Sequence, residues 1–211
     1  MNPLEHVKAV TREVRTGERD GKPTKIAIAH RSYPAEPGDV WDALTSAERL
    51  PRWFLPVSGD LRVGGRYQFE GNAGGVVETC RQPELIKTTW EGGGQVSWLE
   101  IRLSPEGEQT ALELIHEAHV DPEFAKQYGP GAVGVGWDGA LLGLGLHLES
   151  GADRPVDAFT WPTTPEGLEF HRYAADDWAR ADIADGTDPA EARAATEAVL
   201  AFYTTVPEEQ S

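Results

Sequence analysis

Apolar residues along this chain recur at two spacings, one helical and one alternating, and the switches between them are sharp. The clearest helical stretch runs from Gly134 to Leu148. At about 100° per residue, Val133, Trp137, Ala140, Leu141, Leu144 and Leu148 fall on one face, with Leu142 and Leu146 almost opposite. A helix apolar on two sides must be covered on two sides. At about 15 residues it is short for a membrane span, and Asp138, His147 and Glu149 would sit inside the bilayer. Gly139, Gly143 and Gly145 each cost about 1 kcal/mol against Ala in a helix interior. They point to close approach by a neighbour or to a face kept open.

Most of the remaining pattern alternates. Residues 7–33 read as two strands, with Val10, Arg12, Val14 and Thr16 in the first and Asp20-Gly21 at the turn. The second places Ile26, Ile28, His30 and Ser32 on one face and Ala27, Ala29, Arg31 and Tyr33 on the other. Pro34 and Pro37 end it. Two short helices follow, one near Pro37–Leu44 and one opened by the capping box Thr45-Ser46-Ala47-Glu48, which carries Leu50, Trp53 and Phe54. From Val57 to His119 strand follows strand across Gly-bearing turns, an antiparallel meander rather than a βαβ unit. Tyr67 and Phe69 share a face; so do Ile86, Thr88 and Trp90. The inward sets of the last two strands are Ser97, Leu99, Ile101, Leu103 and then Leu112, Leu114, His116.

After the organising helix and a linker at 150–162 come two more helical patterns. Thr164-Pro165-Glu166 opens one, striped by Phe170, Ala174, Trp178 and Ala181. Asp188-Pro189-Ala190-Glu191 opens the other, with Ala192, Ala195, Val199, Phe202, Tyr203 and Val206. The pattern predicts an α+β fold. Residues 1–150 form a curved antiparallel sheet wrapped around the long helix, with a cavity between them. Residues 151–211 form a helical extension on the outer side of that helix, covering Leu142 and Leu146 and with Trp98 within its reach.

Composition narrows the function more than the fold. The 211 residues are 39% hydrophobic, enough for one sizeable core. A net charge of −16 repels phosphate backbones and anionic lipid, which excludes nucleic acid and membrane surfaces as expected partners. Solubility is the plain reading of that charge. The single cysteine, Cys80, rules out a disulfide framework or a cysteine metal cluster and is expected to pack. The N-terminus has no apolar run resembling a signal peptide, so a cytoplasmic protein is expected.

The order of strand, two short helices, meander and long helix resembles the helix-grip fold of the START-like (SRPBCC) superfamily. Within it the chain looks like the activator of heat-shock-protein-90 ATPase homologue family, in its bacterial branch. The residues that carry this are Val40-Trp41-Asp42-Ala43-Leu44-Thr45, Glu48-Arg49-Leu50, Arg52-Trp53-Phe54, Gly59-Asp60-Leu61, Gly64-Gly65-Arg66, Thr89-Trp90-Glu91, Thr110-Ala111-Leu112-Glu113-Leu114 and Gly136-Trp137. The likeness covers about 24 to 148. It implies the fold; superfamily members include lipid carriers, hormone binders, polyketide aromatase/cyclases and co-chaperone domains, so function must come from the site.

Three motifs suggest chemistry. Gly129-Pro130-Gly131-Ala132-Val133-Gly134 matches GxGxxG, but no βαβ unit surrounds it; it reads as a loop that lets the helix start close to the sheet. His116-Glu117-Ala118-His119 has histidines three apart on a strand, hence on opposite faces, and makes no zinc site. His116 and His30 are each either satisfied core histidines or polar anchors in a cavity, and an acid/base role stays open for both. No nucleophile triad is assigned. The aromatic set is core on the plain reading and a pocket wall on the other. The leading expectation is non-covalent binding of a small apolar or aromatic molecule, lined by Trp53, Phe54, Tyr67, Phe69, Trp90, Trp137, Leu141 and Leu144, with His30 and His116 as polar contacts. No cofactor or metal is expected. The alternatives are a protein-interaction module, with a protein partner or a second copy, and a cyclase- or hydrolase-type enzyme.

Overall fold

In the computed structural model, residues 2–154 and 160–205 are described. Asp20 and Gly21 both hold positive φ, 52° and 72°, the pairing a tight hairpin needs. They join β1 (Thr11–Arg19) to β2 (Lys22–Tyr33). Ahead of β1 lies α1 (Pro3–Lys8), which the alternation does not announce. Its capping box is reciprocal: Asn2 Oδ1 accepts from the Glu5 amide at 2.9 Å, and the Asn2 amide donates to Glu5 Oε2 at 3.0 Å.

After β2 come α2 (Pro37–Thr45) and α3 (Leu50–Trp53), then β3 (Val57–Gly59), β4 (Arg66–Phe69), β5 (Gly74–Arg81), β6 (Leu85–Gly92), β7 (Gln95–Glu106) and β8 (Gln109–His119). The eight strands form one antiparallel sheet in the order β1-β2-β8-β7-β6-β5-β4-β3. The meander therefore ends beside the N-terminal hairpin. Short α4 (Pro122–Tyr128) leads to α5 (Gly131–Ser150), the organising helix, which stops at Gly151 in the left-handed region, φ 66°. Then come α6 (Pro165–Ala184) and α7 (Pro189–Thr204). Thr164 and Asp188 cap their first amides, and a proline follows each.

Register defines the concave face. One row runs Val14, Ala27, His116, Leu99, Thr88 and Val77; the next runs Arg12, Ala29, Leu114, Ile101 and Ile86. On β2 this face holds Ala27, Ala29, Arg31 and Tyr33. Small Ala27 and Ala29 let α5 come close, and the Arg31 guanidinium and Tyr33 hydroxyl both donate to the Leu141 carbonyl, at 2.8 and 3.0 Å. The isoleucine face, His30 included, is convex. Ile28 is nevertheless buried there, directly opposite Ile115.

The tail helices join the same core. α6 packs on α5, β1 and α1, and α7 packs on α6 and α4. Phe170, Ala174, Trp178 and Val199 belong to one cluster with Val14, Leu114 and Leu141. A buried network ties the pieces together. Arg12 on β1 donates from Nε and Nη2 to both oxygens of Asp138 on α5, at 3.1 and 2.9 Å. It also donates to Asp177 of α6 at 2.7 Å and to the Val7 and Val10 carbonyls. Trp178 Nε1 donates to Asp138 at 2.9 Å. Burial pushes the Asp138 carboxyl up, and Arg12 opposes that. Leu142 is buried a turn from Asp138 and Gly145; Leu146 is half-buried. Among the described residues Trp98 meets Arg19 instead of the tail helices: it lies on the convex face with the Arg19 guanidinium 4.1 Å above its ring. Val206 lies outside the described residues.

Candidate functional site

β4, β6 and β8 bring aromatic side chains onto the concave face, and the α3 end and α5 bring theirs to meet them. The rings form a continuous row. Trp53 lies 5.6 Å from Phe54 between centroids, Phe54 5.0 Å from Phe69, Phe69 5.7 Å from Trp90, and Trp90 5.0 Å from Trp137. Tyr67 joins from the side, 5.5 Å from Phe69. Most contacts are edge-on or tilted, the geometry ring quadrupoles favour. The structure thus brings together Trp53, Phe54, Tyr67, Phe69, Trp90, Trp137 and His116. Leu141 and Leu144 are buried on α5 among them.

His30 is the exception and a correction. Its side chain is 42% exposed on the convex face, 3.7 Å from Glu113. The apolar partners Ile26 and Ile28 mark that face as inward by pattern. The helix instead demands the alanine face, which alone leaves room for its backbone.

His116 sits at the inner end of the row. Trp137 Nε1 donates to His116 Nδ1 at 2.8 Å, and His116 Nε2 is 2.7 Å from Ser97 Oγ, which donates to the Trp90 carbonyl at 3.0 Å. An indole N–H only donates, so Nδ1 must be the acceptor and Nε2 must carry the proton. Ser97 and His116 have the spacing of a nucleophile and its base. The tautomer is the wrong one, because Nε2 offers Ser97 a proton instead of a lone pair. Burial alone holds the imidazole neutral, with its pKa pushed down to about 4. His116 is therefore a satisfied core histidine. Tyr67 is closed too: its hydroxyl lies 3.2 Å from Thr88 Oγ1 and donates to the Thr89 carbonyl at 2.7 Å. Trp53 Nε1 donates to the Ala43 carbonyl at 2.9 Å.

What stays open is apolar. Phe69, Ile86, Trp90 and Ile101 face inward yet are only half-buried. In the same row Leu114 is 3% and Ala29 0% exposed. Among the strands α5 lies nearest β2, so it covers the β2–β8 side and leaves the β4–β7 side accessible. Ile86, Ile101 and Ser97 belong to this site but were outside the aromatic signal that marks it in the sequence. Cys80 is exposed, not packed: a bulge at 77–79 in β5 brings it into register with Ile86 at the free end of that strand. The outer end of the row opens on a groove of about 450 Å³ bordered by Phe54, Arg52 and Arg154.

The GxGxxG loop lies between two helices and serves packing of a different kind from that expected. A Cβ on Gly134 would fall 2.2 Å from the Trp178 ring, and one on Gly131 3.4 Å from Val199. Its glycines admit the tail helices rather than the sheet. Among the described residues no three His, Cys, Asp or Glu side chains are placed to hold a metal ion, and no helix is long and apolar enough to cross a membrane.

A long helix gripped by an antiparallel sheet defines a helix-grip protein of the START-like class. A family model described as activator of Hsp90 ATPase homolog 1-like protein matches residues 34–149, more than half of the chain, and the chain belongs to that family. The crystal structure of CalU16 from Micromonospora echinospora is similar at 30% identity, over 82% of this chain and 98% of that one, with a TM-score of 0.66. Its solution structure gives 30%, 84%, 97% and 0.69. That match exceeds the family region, so part of the N-terminal hairpin or the tail helices is common to both. PFC0360w, an HSP90 activator from Plasmodium falciparum, is similar in fold at 19% identity, over 62% of this chain and 99% of that one, with a TM-score of 0.51. No curated protein matches the chain.

Proposed function

We propose that this protein binds a small apolar or aromatic molecule, without covalent chemistry, on the concave face between β4–β7 and α5. The observation that carries this is the contrast within one register row: Ile86 and Ile101 keep solvent contact while Leu114 and Ala29 do not. Inward-facing apolar surface that solvent still reaches is a preformed ligand wall, and its few polar groups are spoken for. Neutral His116 in the Nε2–H tautomer, with Ser97 donating away from it, supports binding over hydrolysis.

Nile red fluorescence tests this. Wild type should enhance and blue-shift the dye, and Ile86→Trp or Ile101→Trp, which fill the space, should abolish the signal without lowering the thermal midpoint. Undiminished dye binding in both variants would move the site elsewhere.

A protein-interaction role draws on a different surface. Phe124 of α4 and Phe202 of α7 are 47% and 64% exposed and linked through Tyr128, with centroids 5.2 and 6.0 Å apart. On so acidic a chain, that aromatic patch suits a basic segment of a partner protein. Phe202→Ser should leave dye binding intact and weaken capture of a fluorescent Lys/Leu-rich helical peptide; unchanged capture would exclude this surface.

A further inference from the structure

Most tryptophan N–H groups of this chain are spent inside it. Trp53 donates to the Ala43 carbonyl, Trp137 to His116, Trp161 to Glu166 and Trp178 to Asp138. Trp41, Trp90 and Trp98 have no such partner among the described residues. Trp41 is 5% exposed on α2, and Trp98 lies on the convex face beneath Arg19. Trp90 differs from both. It stands in the row of rings, 5.7 Å from Phe69 and 5.0 Å from Trp137, and shares its strand face with Ile86. The residue is half-buried, and its N–H is neither bonded nor sealed in, so it meets the solvent that reaches the concave wall.

That N–H is the exception on a wall whose other polar groups are used. Ser97 donates to the Trp90 carbonyl, Tyr67 to the Thr89 carbonyl and Trp137 to His116 Nδ1. A ligand hydroxyl or amide proton turned inward finds these acceptors taken and is buried unpaired, which is unfavourable. An oxygen that only accepts meets the Trp90 indole, which only donates. The rings carry no charge, and burial keeps His116 neutral, so the row offers an ionic group no counter-charge.

We propose that Trp90 Nε1 is the polar contact of the concave site, and that the ligand is a neutral aromatic or polycyclic carbonyl compound whose oxygen accepts from it. This rests on the concave-face reading above and adds the hydrogen-bonding character of the ligand. In an apolar site a few placed polar groups fix orientation, and a single donor fixes one oxygen while the rings lie on the apolar wall. Trp90 is held for that role. Its ring is tilted 61° to Trp137 and 42° to Phe69, and Ser97 pins its backbone to β7.

Matched probes test the oxygen apart from the rings. 2-Acetonaphthone and 2-isopropenylnaphthalene share an outline and differ by an oxygen in place of a methylene; 1-(2-naphthyl)ethanol carries a hydroxyl there instead. Displacement of Nile red reads the affinity of each. Wild type should bind the ketone about fivefold more tightly than the alkene, and more tightly than the alcohol. Trp90→Phe keeps a ring and removes the N–H, so it should erase the ketone's advantage and still bind the alkene. In nitrogen–proton spectra the indole signal missing from Trp90→Phe should move further downfield with the ketone than with the alkene. Unchanged circular dichroism and thermal midpoint confirm that the variant folds, and the wild-type ratio decides the question even if it does not. Equal affinity for ketone and alkene, an alcohol that matches the ketone, or a ketone advantage that survives in Trp90→Phe overturns the carbonyl inference alone. Failure of all three probes to displace Nile red overturns the concave-face site with it.

Discussion

Acid should weaken this protein through His116 in a way that can be measured apart from every carboxylate. In the folded state burial holds its pKa at about 4, against 6.5 for the free side chain. Between those values the unfolded chain takes up a proton that the folded one refuses. Stability is therefore full above pH 6.5, falls by up to about 1.4 kcal/mol per pH unit on acidification, and levels off below pH 4. The whole interval amounts to about 3 kcal/mol, a large share of the 5–15 kcal/mol typical of a domain. The geometry gives the same sign independently. A proton on Nδ1 would set two donors face to face, because Trp137 Nε1 can only donate into that position.

His116→Gln is the matched control. Glutamine can accept from Trp137 with its oxygen and donate to Ser97 with its nitrogen, and it does not titrate. Urea unfolding at pH 7 and pH 4 should show wild type losing about 3 kcal/mol more than the variant. The carboxylates, and His171, whose pKa burial also lowers, cancel in the difference. Imidazole nitrogen shifts should report a bare Nδ1 and a protonated Nε2 at neutral pH. Parallel profiles within about 0.5 kcal/mol, or a protonated Nδ1, would refute the reasoning.

The other predictions probe the frame and the mouth of the site. Arg12→Met leaves Asp138 buried without its cation and should cost about 3–5 kcal/mol by thermal melts. Adding Asp138→Leu should restore much of that, and a double variant no better than the single would show that the charge pair is not the cause. Gly134→Ala forces a Cβ into the Trp178 ring and should destabilise by about 2 kcal/mol. Gly139→Ala on the same helix meets nothing within 4 Å and should stabilise by up to about 1 kcal/mol; equal effects would contradict the packing described for α5. Cys80, the only thiol, should react stoichiometrically with a disulfide reagent in the native state, more slowly once Nile red occupies the concave face. A thiol silent until denaturant is added would place it inside after all.

The architecture was legible because its signals are local. Alternation around Tyr67, Trp90 and Leu112, glycine turns, and a two-sided apolar helix at Trp137 are each read within a few residues. The errors fall where distant partners decide. Ile26 and Ile28 outweigh Ala27 and Ala29 on any hydropathy count, but α5 needs the small residues beneath it, so His30 turned outward. Arg12 and Asp138 stand 126 positions apart, and nothing near either announces the other. Cys80 shares its strand with Val76 and Val77 but sits past a bulge, where β4 no longer pairs with β5. The row of rings was visible as a composition of aromatic positions. Its closure into Trp137–His116–Ser97, which decides between base and bystander, depends on which nitrogen the indole meets, and no periodicity encodes that.

The small residues of α5 explain why this grip is lopsided. Gly145 lies where a Cβ would strike the Arg31 guanidinium and His6, and Gly134 lies where it would strike Trp178. Both draw neighbours onto the side of the helix that meets β2, α1 and α6. On that side the helix is held by charge, by the Leu141 carbonyl and by Trp178, groups that fix its height above the sheet. Another side is met by α3 and the turn before it: a Cβ on Gly143 would fall 2.7 Å from the Trp53 carbonyl, and Arg49 Nε donates to His147 Nε2 at 3.3 Å. Elsewhere Trp137 spans the distance to His116 on the sheet, and Ala140 is too short to follow it. Among the strands α5 lies nearest β2, and the β4–β7 half of the sheet curves away from its backbone. The accessible wall at Ile86 and Ile101 is thus a consequence of how tightly α5 is drawn toward β2. Any substitution that loosens Arg31 or Arg12 should therefore change ligand affinity as well as stability, although neither residue touches the wall.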